Sequence, residues 1–203
     1  MYNWATLYEK HAPMTSPPQA LVIFADPALH RSRISRRVAD AVRSLPNVTV
    51  QDLYELYPDF YVDVKRERAL LKEAGMVIFA YQLSWYAMPA LLKEWFDAVL
   101  KPEWSVDGGN PRLRGKSCWA AVGCNSLPGD YRPGARHGHP LGEYLASLEQ
   151  TAHSLGMRWI EPEILYGAEH AEPRAVDAYA ERLRGLLAGH LEHLALEGAS
   201  HGT

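Results

Sequence analysis

Three short segments hold residue types suited to chemistry. The first is Asp26-Pro-Ala-Leu-His-Arg-Ser-Arg-Ile-Ser35, which leads from an apolar run into a helical pattern. Backbone N–H groups at a helix start have no intrahelical partner, and the helix dipole adds positive potential, so a phosphate suits that place. Ser32 and Ser35 add hydroxyl donors, and Arg31 and Arg33 add positive charge. The same residues also describe an ordinary serine N-cap with solvated arginines. The second segment, Tyr81-Gln-Leu-Ser-Trp-Tyr-Ala-Met88, sets Trp85 beside Tyr86. Adjacent aromatics make a wall for a flat ring, and equally pack in a core or between subunits. The third, Gly123-Cys-Asn-Ser-Leu-Pro-Gly-Asp-Tyr131, is small and polar. Its backbone N–H groups suit the polar edge of such a ring, and a plain turn fits as well.

Other chemistries are poorly supported. The nine histidines form no HExxH motif and no Cys/His set, and His137 and His139 stand two apart in an Arg/Gly/Pro loop. There is no GxSxG elbow and no P-loop. The two cysteines, Cys118 and Cys124, are too few for a disulfide framework and read as reduced thiols. A formal net charge of −3 offers no basic excess for nucleic acid. No apolar run is long enough for a membrane span, and the N-terminus lacks a signal-peptide core, so a soluble, cytoplasmic protein is expected.

The elements that must position these loops alternate in type. Ala20–Ala25, Val48–Leu53, Met76–Ala80, Ser117–Val122 and Arg158–Tyr166 read as strands, the last interrupted by Pro162. Helical spacing follows at Ile34–Leu45, Ala69–Ala74, Pro89–Leu100, Leu141–Leu155 and from Pro173 onward. The chain of 203 residues thus divides into an extension over 1–18, a domain over 19–190 and a frayed tail over 191–203. Alternation of this kind predicts an α/β three-layer sandwich with a five-stranded parallel sheet in the order 2-1-3-4-5, the flavodoxin-like arrangement. Ligands of such sheets bind at the carboxyl ends of the strands, where the three segments above fall. A dinucleotide-binding fold is disfavoured because no GxGxxG follows the first strand.

Longer motifs add a family resemblance. Asn47-Val-Thr-Val-Gln-Asp-Leu-Tyr-Glu-Leu-Tyr-Pro-Asp-Phe-Tyr-Val-Asp63 resembles the diaphorase-like NAD(P)H:quinone oxidoreductases, above all the ancillary proteins of glutathione-regulated potassium-efflux systems. Trp85-Tyr-Ala-Met-Pro-Ala-Leu-Leu-Lys-Glu-Trp-Phe-Asp-Ala-Val-Leu100 is similar to the family's second motif, and Gly108-Gly109 with Leu113-Arg-Gly-Lys116 fits too. An electron-transfer flavodoxin matches less well, since the Trp85–Leu100 motif belongs to the quinone-reductase branch.

The resemblance implies a homodimer with FMN, or alternatively FAD, near the subunit interface. It implies NAD(P)H as co-substrate and a quinone-like small molecule as electron acceptor. It also implies a membrane antiporter partner at the inner face of the cell membrane, with a regulatory role and little or no enzymatic activity as the alternative. By position, Ser32, Arg33, Ile34 and Ser35 would hold the phosphate, with Asp26 beside it. Leu83, Ser84, Trp85 and Tyr86 would line the ring, and Gly123, Cys124, Asn125 and Ser126 would meet its edge. Tyr131 and His137 fall where a substrate-facing acid would lie. The chain departs from the family at three places. Relatives carry His-Pro at Asp26-Pro27, often Asn at Ser35, and a Thr-Thr-Gly-Gly type segment at Gly123–Ser126. A carboxylate facing a phosphate is repulsive.

Overall fold

The computed structural model describes residues 19–27 and 32–200. The expected extension over 1–18 and Arg31 lie outside these residues, as does the side chain of Arg33.

Five parallel strands form the sheet: β1 (Gln19–Ala25), β2 (Val48–Asp52), β3 (Ala74–Gln82), β4 (Ser117–Gly123) and β5 (Arg158–Leu165). Their order is β2-β1-β3-β4-β5, as the alternation predicts. Helices α1 (Arg33–Arg43), α2 (Val64–Glu73), α3 (Ala90–Val99), α4 (Leu141–Ser154) and α5 (Pro173–Ser200) connect and flank them. A two-residue hairpin turn at Gly108-Gly109, both with positive φ, joins the short strands Val106–Asp107 and Asn110–Pro111.

The central strands are apolar on both faces because both are covered. On β1, Leu21, Ile23 and Ala25 pack with Leu71, Trp95 and Leu145 from α2, α3 and α4. The alternate residues Ala20, Val22 and Phe24 pack with Val38 and Val42 of α1 and Leu183 and Leu187 of α5. Edge strand β5 tolerates Pro162 through a register shift opposite Trp119–Ala121, and Trp119 Nε1 donates to the Glu161 carbonyl at 3.0 Å.

Several boundaries differ from the sequence pattern. Helix α2 begins at Val64 instead of Ala69, because Asp63 caps it by accepting from Arg66 N–H at 3.0 Å. Strand β3 then starts at Ala74, so Gly75 lies inside a strand and breaks no helix. Lys116 Nζ donates to the Lys72 and Ala74 carbonyls and fastens this junction, and burial pushes its pKa down. Pro89 is the N-cap of α3, one residue before its first turn. Asp52 caps a single helical turn, Leu53–Leu56, by accepting from Tyr54 and Glu55 N–H at 3.1 and 3.3 Å. The segment from 191 is no frayed tail as far as Ser200. It continues α5, where Leu191 and Leu194 pack on the core and Arg158 pairs with Glu197 at 3.0 Å.

Among the described residues no helix is long and apolar enough to cross a membrane.

Candidate functional site

The carboxyl ends of β1, β3 and β4 converge on a small, open concavity lined by Asp26, Ile34, Ser35, Gln82, Gly123 and Tyr179. At the β1 end, Ser32 caps α1 by accepting from Ser35 N–H at 3.1 Å. The Ser32 hydroxyl also donates to Ser35 Oγ at 3.1 Å, and the Ser35 hydroxyl donates to Asp26 Oδ2. Both serines therefore act within a chain that ends on a carboxylate only 6% exposed. Ile34 turns its side chain toward the α1/α5 core layer, so it can offer an anion only backbone. The helix start expected to receive a phosphate is present, with an internal anion already beside it.

The β3 loop is a strained aromatic turn. Ser84 and Ala87 exchange two backbone hydrogen bonds at 3.0 Å, closing a two-residue turn over Trp85 (φ 48°) and Tyr86 (φ 65°). Two consecutive positive φ values define a type I′ turn, which favours Asn and Gly, not aromatics. Leu83 packs against the core, and its N–H donates to the Gly123 carbonyl at 2.8 Å. The turn presents Trp85 outward, 92% exposed, while Tyr86 leans back on Tyr144 with ring centroids 5.0 Å apart. Strain of this sort persists at functional sites. Trp85→Asn is expected to raise stability by about 0.5–1 kcal/mol in a urea titration, because Asn accepts this backbone conformation and little packing is lost. A lower midpoint would show that the exposed indole stabilises the turn.

The β4 loop holds the polar edge. Gly123 leaves room for the Gln82 side chain, whose Oε1 would lie 2.1 Å from any added Cβ. Gln82 Nε2 donates to Asn125 Oδ1 at 2.8 Å, and Asn125 Nδ2 donates to Glu169 Oε2 at 3.0 Å. The Cys124 N–H donates to the Leu165 carbonyl at 2.9 Å, so it continues the sheet and does not face a ligand edge as the sequence suggested. Its thiol is buried, and burial raises its pKa; that of Cys118 is pushed up to about 12. Neither thiol should react with an Ellman-type reagent at neutral pH until the protein is unfolded. The unfolded thiol ionises near its ordinary value of about 8.5 while Cys118 stays protonated to about 12 in the fold, so stability should fall as pH rises through that window.

Tyr131 and His137, separate in sequence, stack here with centroids 4.4 Å apart and planes 23° apart. His137 Nε2 lies 2.8 Å from Ser126 Oγ, and Nδ1 lies 3.3 Å from Tyr86 Oη. The His137 N–H donates to the Asp130 carbonyl at 3.0 Å, and Tyr144 Oη donates to the His137 carbonyl at 2.6 Å. Desolvation first, then Cys124, pushes the Tyr131 hydroxyl pKa upward, so it stays protonated at neutral pH. Sequence reading missed Gln82, Tyr144, Tyr166 and Glu169. Gln82 alone had a usable signal, as the last residue of a strand at the ligand-binding end. Among the described residues no group of three or more His, Cys, Asp and Glu could hold a metal ion.

The flavodoxin-like fold model matches residues 18–187. The chain belongs to the flavodoxin-like family. It is 35% identical over 168 residues, 83% of this chain and 92% of the relative, to the glutathione-regulated potassium-efflux system ancillary protein KefG of Yersinia pestis (strain Pestoides F). Among solved structures it is similar to general stress protein 14 of Treponema denticola in complex with FMN, at 28% identity and TM-score 0.79, covering 86% of this chain and 99% of that one. It is also similar to an NADPH-quinone reductase from P. pentosaceus, at 26% identity and TM-score 0.72, covering 81% and 96%. In this flavodoxin-like frame, the aromatic turn and the Gly123 edge fit a flat ring. At the anchoring end, the α1 N–H groups fit an anion while Asp26 opposes one.

Proposed function

We propose that this protein is a flavin-dependent oxidoreductase that passes two electrons from NAD(P)H to a quinone-like acceptor. The observation that carries this reading is the meeting of Tyr86, beside presented Trp85, with the stacked Tyr131–His137 pair at the carboxyl ends of β3 and β4. The FMN complex and the quinone reductase among its structural relatives support it. FMN, or FAD, would supply hydride acceptance and donation when bound. Trp85 and Tyr86 would flank the ring, with Leu83 and Ser84 fixing their turn. Gly123, Asn125 and Ser126 would border its edge, and the first turn of α1, Ser32 to Ser35, would anchor the phosphate. Tyr131 and His137 would hold the proton that a quinone oxygen takes up. A second subunit would cover the exposed indole, making the working unit a homodimer in the cytoplasm.

The test is the visible spectrum of the purified protein. A flavin spectrum that bleaches with NAD(P)H and returns on adding a quinone is expected. A colourless protein that also fails to bind added FMN or FAD overturns the reading. The similarity to KefG favours a second role, as an ancillary subunit of a potassium-efflux antiporter. Co-expression with such a transporter should then give a complex and raise efflux, and a flavin-free variant that stimulates fully would separate the two roles.

A further inference from the structure

Both ring nitrogens of His137 end on hydroxyls, Ser126 Oγ at 2.8 Å and Tyr86 Oη at 3.3 Å. A neutral imidazole carries one N–H, so one nitrogen donates and the other accepts. Other contacts fix the rest of the residue. Tyr131 covers a ring face, and Asp130 and Tyr144 hold the backbone. The in-plane setting of the ring is left to its two hydroxyl partners, of which Ser126 is the nearer. Ser126 is itself held, since Gly167 N–H donates to its carbonyl at 3.1 Å.

We propose that Ser126 is a positioning residue that donates to His137 Nε2, fixing the Nδ1–H tautomer in which Nδ1 donates to Tyr86 Oη. The inference rests on the quinone-reductase reading. When bound, flavin would supply the hydride of that reaction, and His137, stacked on Tyr131, would hold its proton in a ring whose setting Ser126 fixes. The sum is quinone plus hydride plus proton giving hydroquinone. Tyr86 is half-exposed, so its hydroxyl can meet an incoming acceptor.

Nitrogen-15 NMR of His137, with kinetics using NAD(P)H and 1,4-benzoquinone, tests the assignment in wild type, Ser126→Ala and Ser126→Thr. Wild type should show an unprotonated Nε2. Ser126→Ala should shift the proton to Nε2, lower kcat about tenfold and leave KM for NAD(P)H unchanged. Ser126→Thr should restore both. The same tautomer in wild type and Ser126→Ala, an unchanged kcat, or a loss that Thr fails to restore overturns the proposal. If wild type binds no flavin and reduces no quinone, the functional reading falls, while the NMR comparison still decides whether Ser126 sets the ring.

Discussion

Asp26→His should tighten FMN binding about tenfold, and Asp26→Asn should act in the same direction. The Asp26 carboxylate lies at the end of the Ser32–Ser35 hydroxyl chain and is almost buried. A phosphate anchored on the first turn of α1 would approach that charge. Two unit charges about 4 Å apart repel by up to about 4 kcal/mol at an effective dielectric near 20, and a solvent-open concavity screens part of this. Tenfold, about 1.4 kcal/mol, is therefore a restrained expectation. Substitution also releases the Ser35 hydroxyl to donate elsewhere. Riboflavin is the control, since it keeps the ring and lacks the phosphate. Its affinity should barely change, whereas FAD, whose diphosphate bridge carries one charge per phosphate, should gain less than FMN. Titration by quenching of flavin fluorescence reads all three. Unchanged or weaker FMN binding in both variants would mean that Asp26 does not face the phosphate.

What the sequence made legible here follows the range of each interaction. Strands β1, β3 and β4 were plain because burial on both faces demands continuous apolar runs. The sites' positions followed from sheet topology, which sends the three loops to one end. Helix α2 was underread because its first turns, Val64-Lys-Arg-Glu-Arg, carry little apolar period; its legible mark was the Asp63 cap. The end of α5 was misread because a distant ion pair, Arg158 to Glu197, and core contacts of Leu191 and Leu194 secure a locally polar segment. In the site, Trp85 and Tyr86 were visible as types, yet their type I′ turn contradicts local propensity and was not. The Ser126–His137 bond joins two irregular loops, where no period sets which side chains meet.

The largest stability effect is expected at Glu67, far from any proposed ligand contact. Its side chain is wholly buried, with 0% exposure. Tyr57 Oη donates to Oε1 at 2.7 Å, and Trp95 Nε1 donates to Oε2 at 2.9 Å. One carboxylate thus satisfies donors from the loop after β2 and from α3, and ties the Asn47–Asp63 motif to the Trp85–Leu100 motif. Glu67→Ala leaves both donors buried without an acceptor, at about 1–3 kcal/mol each, and opens a void. A loss of about 3–5 kcal/mol in urea unfolding is expected. Glu67→Gln should cost about 1 kcal/mol, since its oxygen can accept from the indole while its amide donates to the Tyr57 oxygen. An alanine variant as stable as the glutamine one would mean that water or repacking supplies the missing acceptors. Because Trp95 lies on the helix that starts directly after the Ser84–Ala87 turn, Glu67→Ala should also broaden Trp85 fluorescence anisotropy decay at temperatures where the fold persists. The buried carboxylate then connects the two motifs energetically.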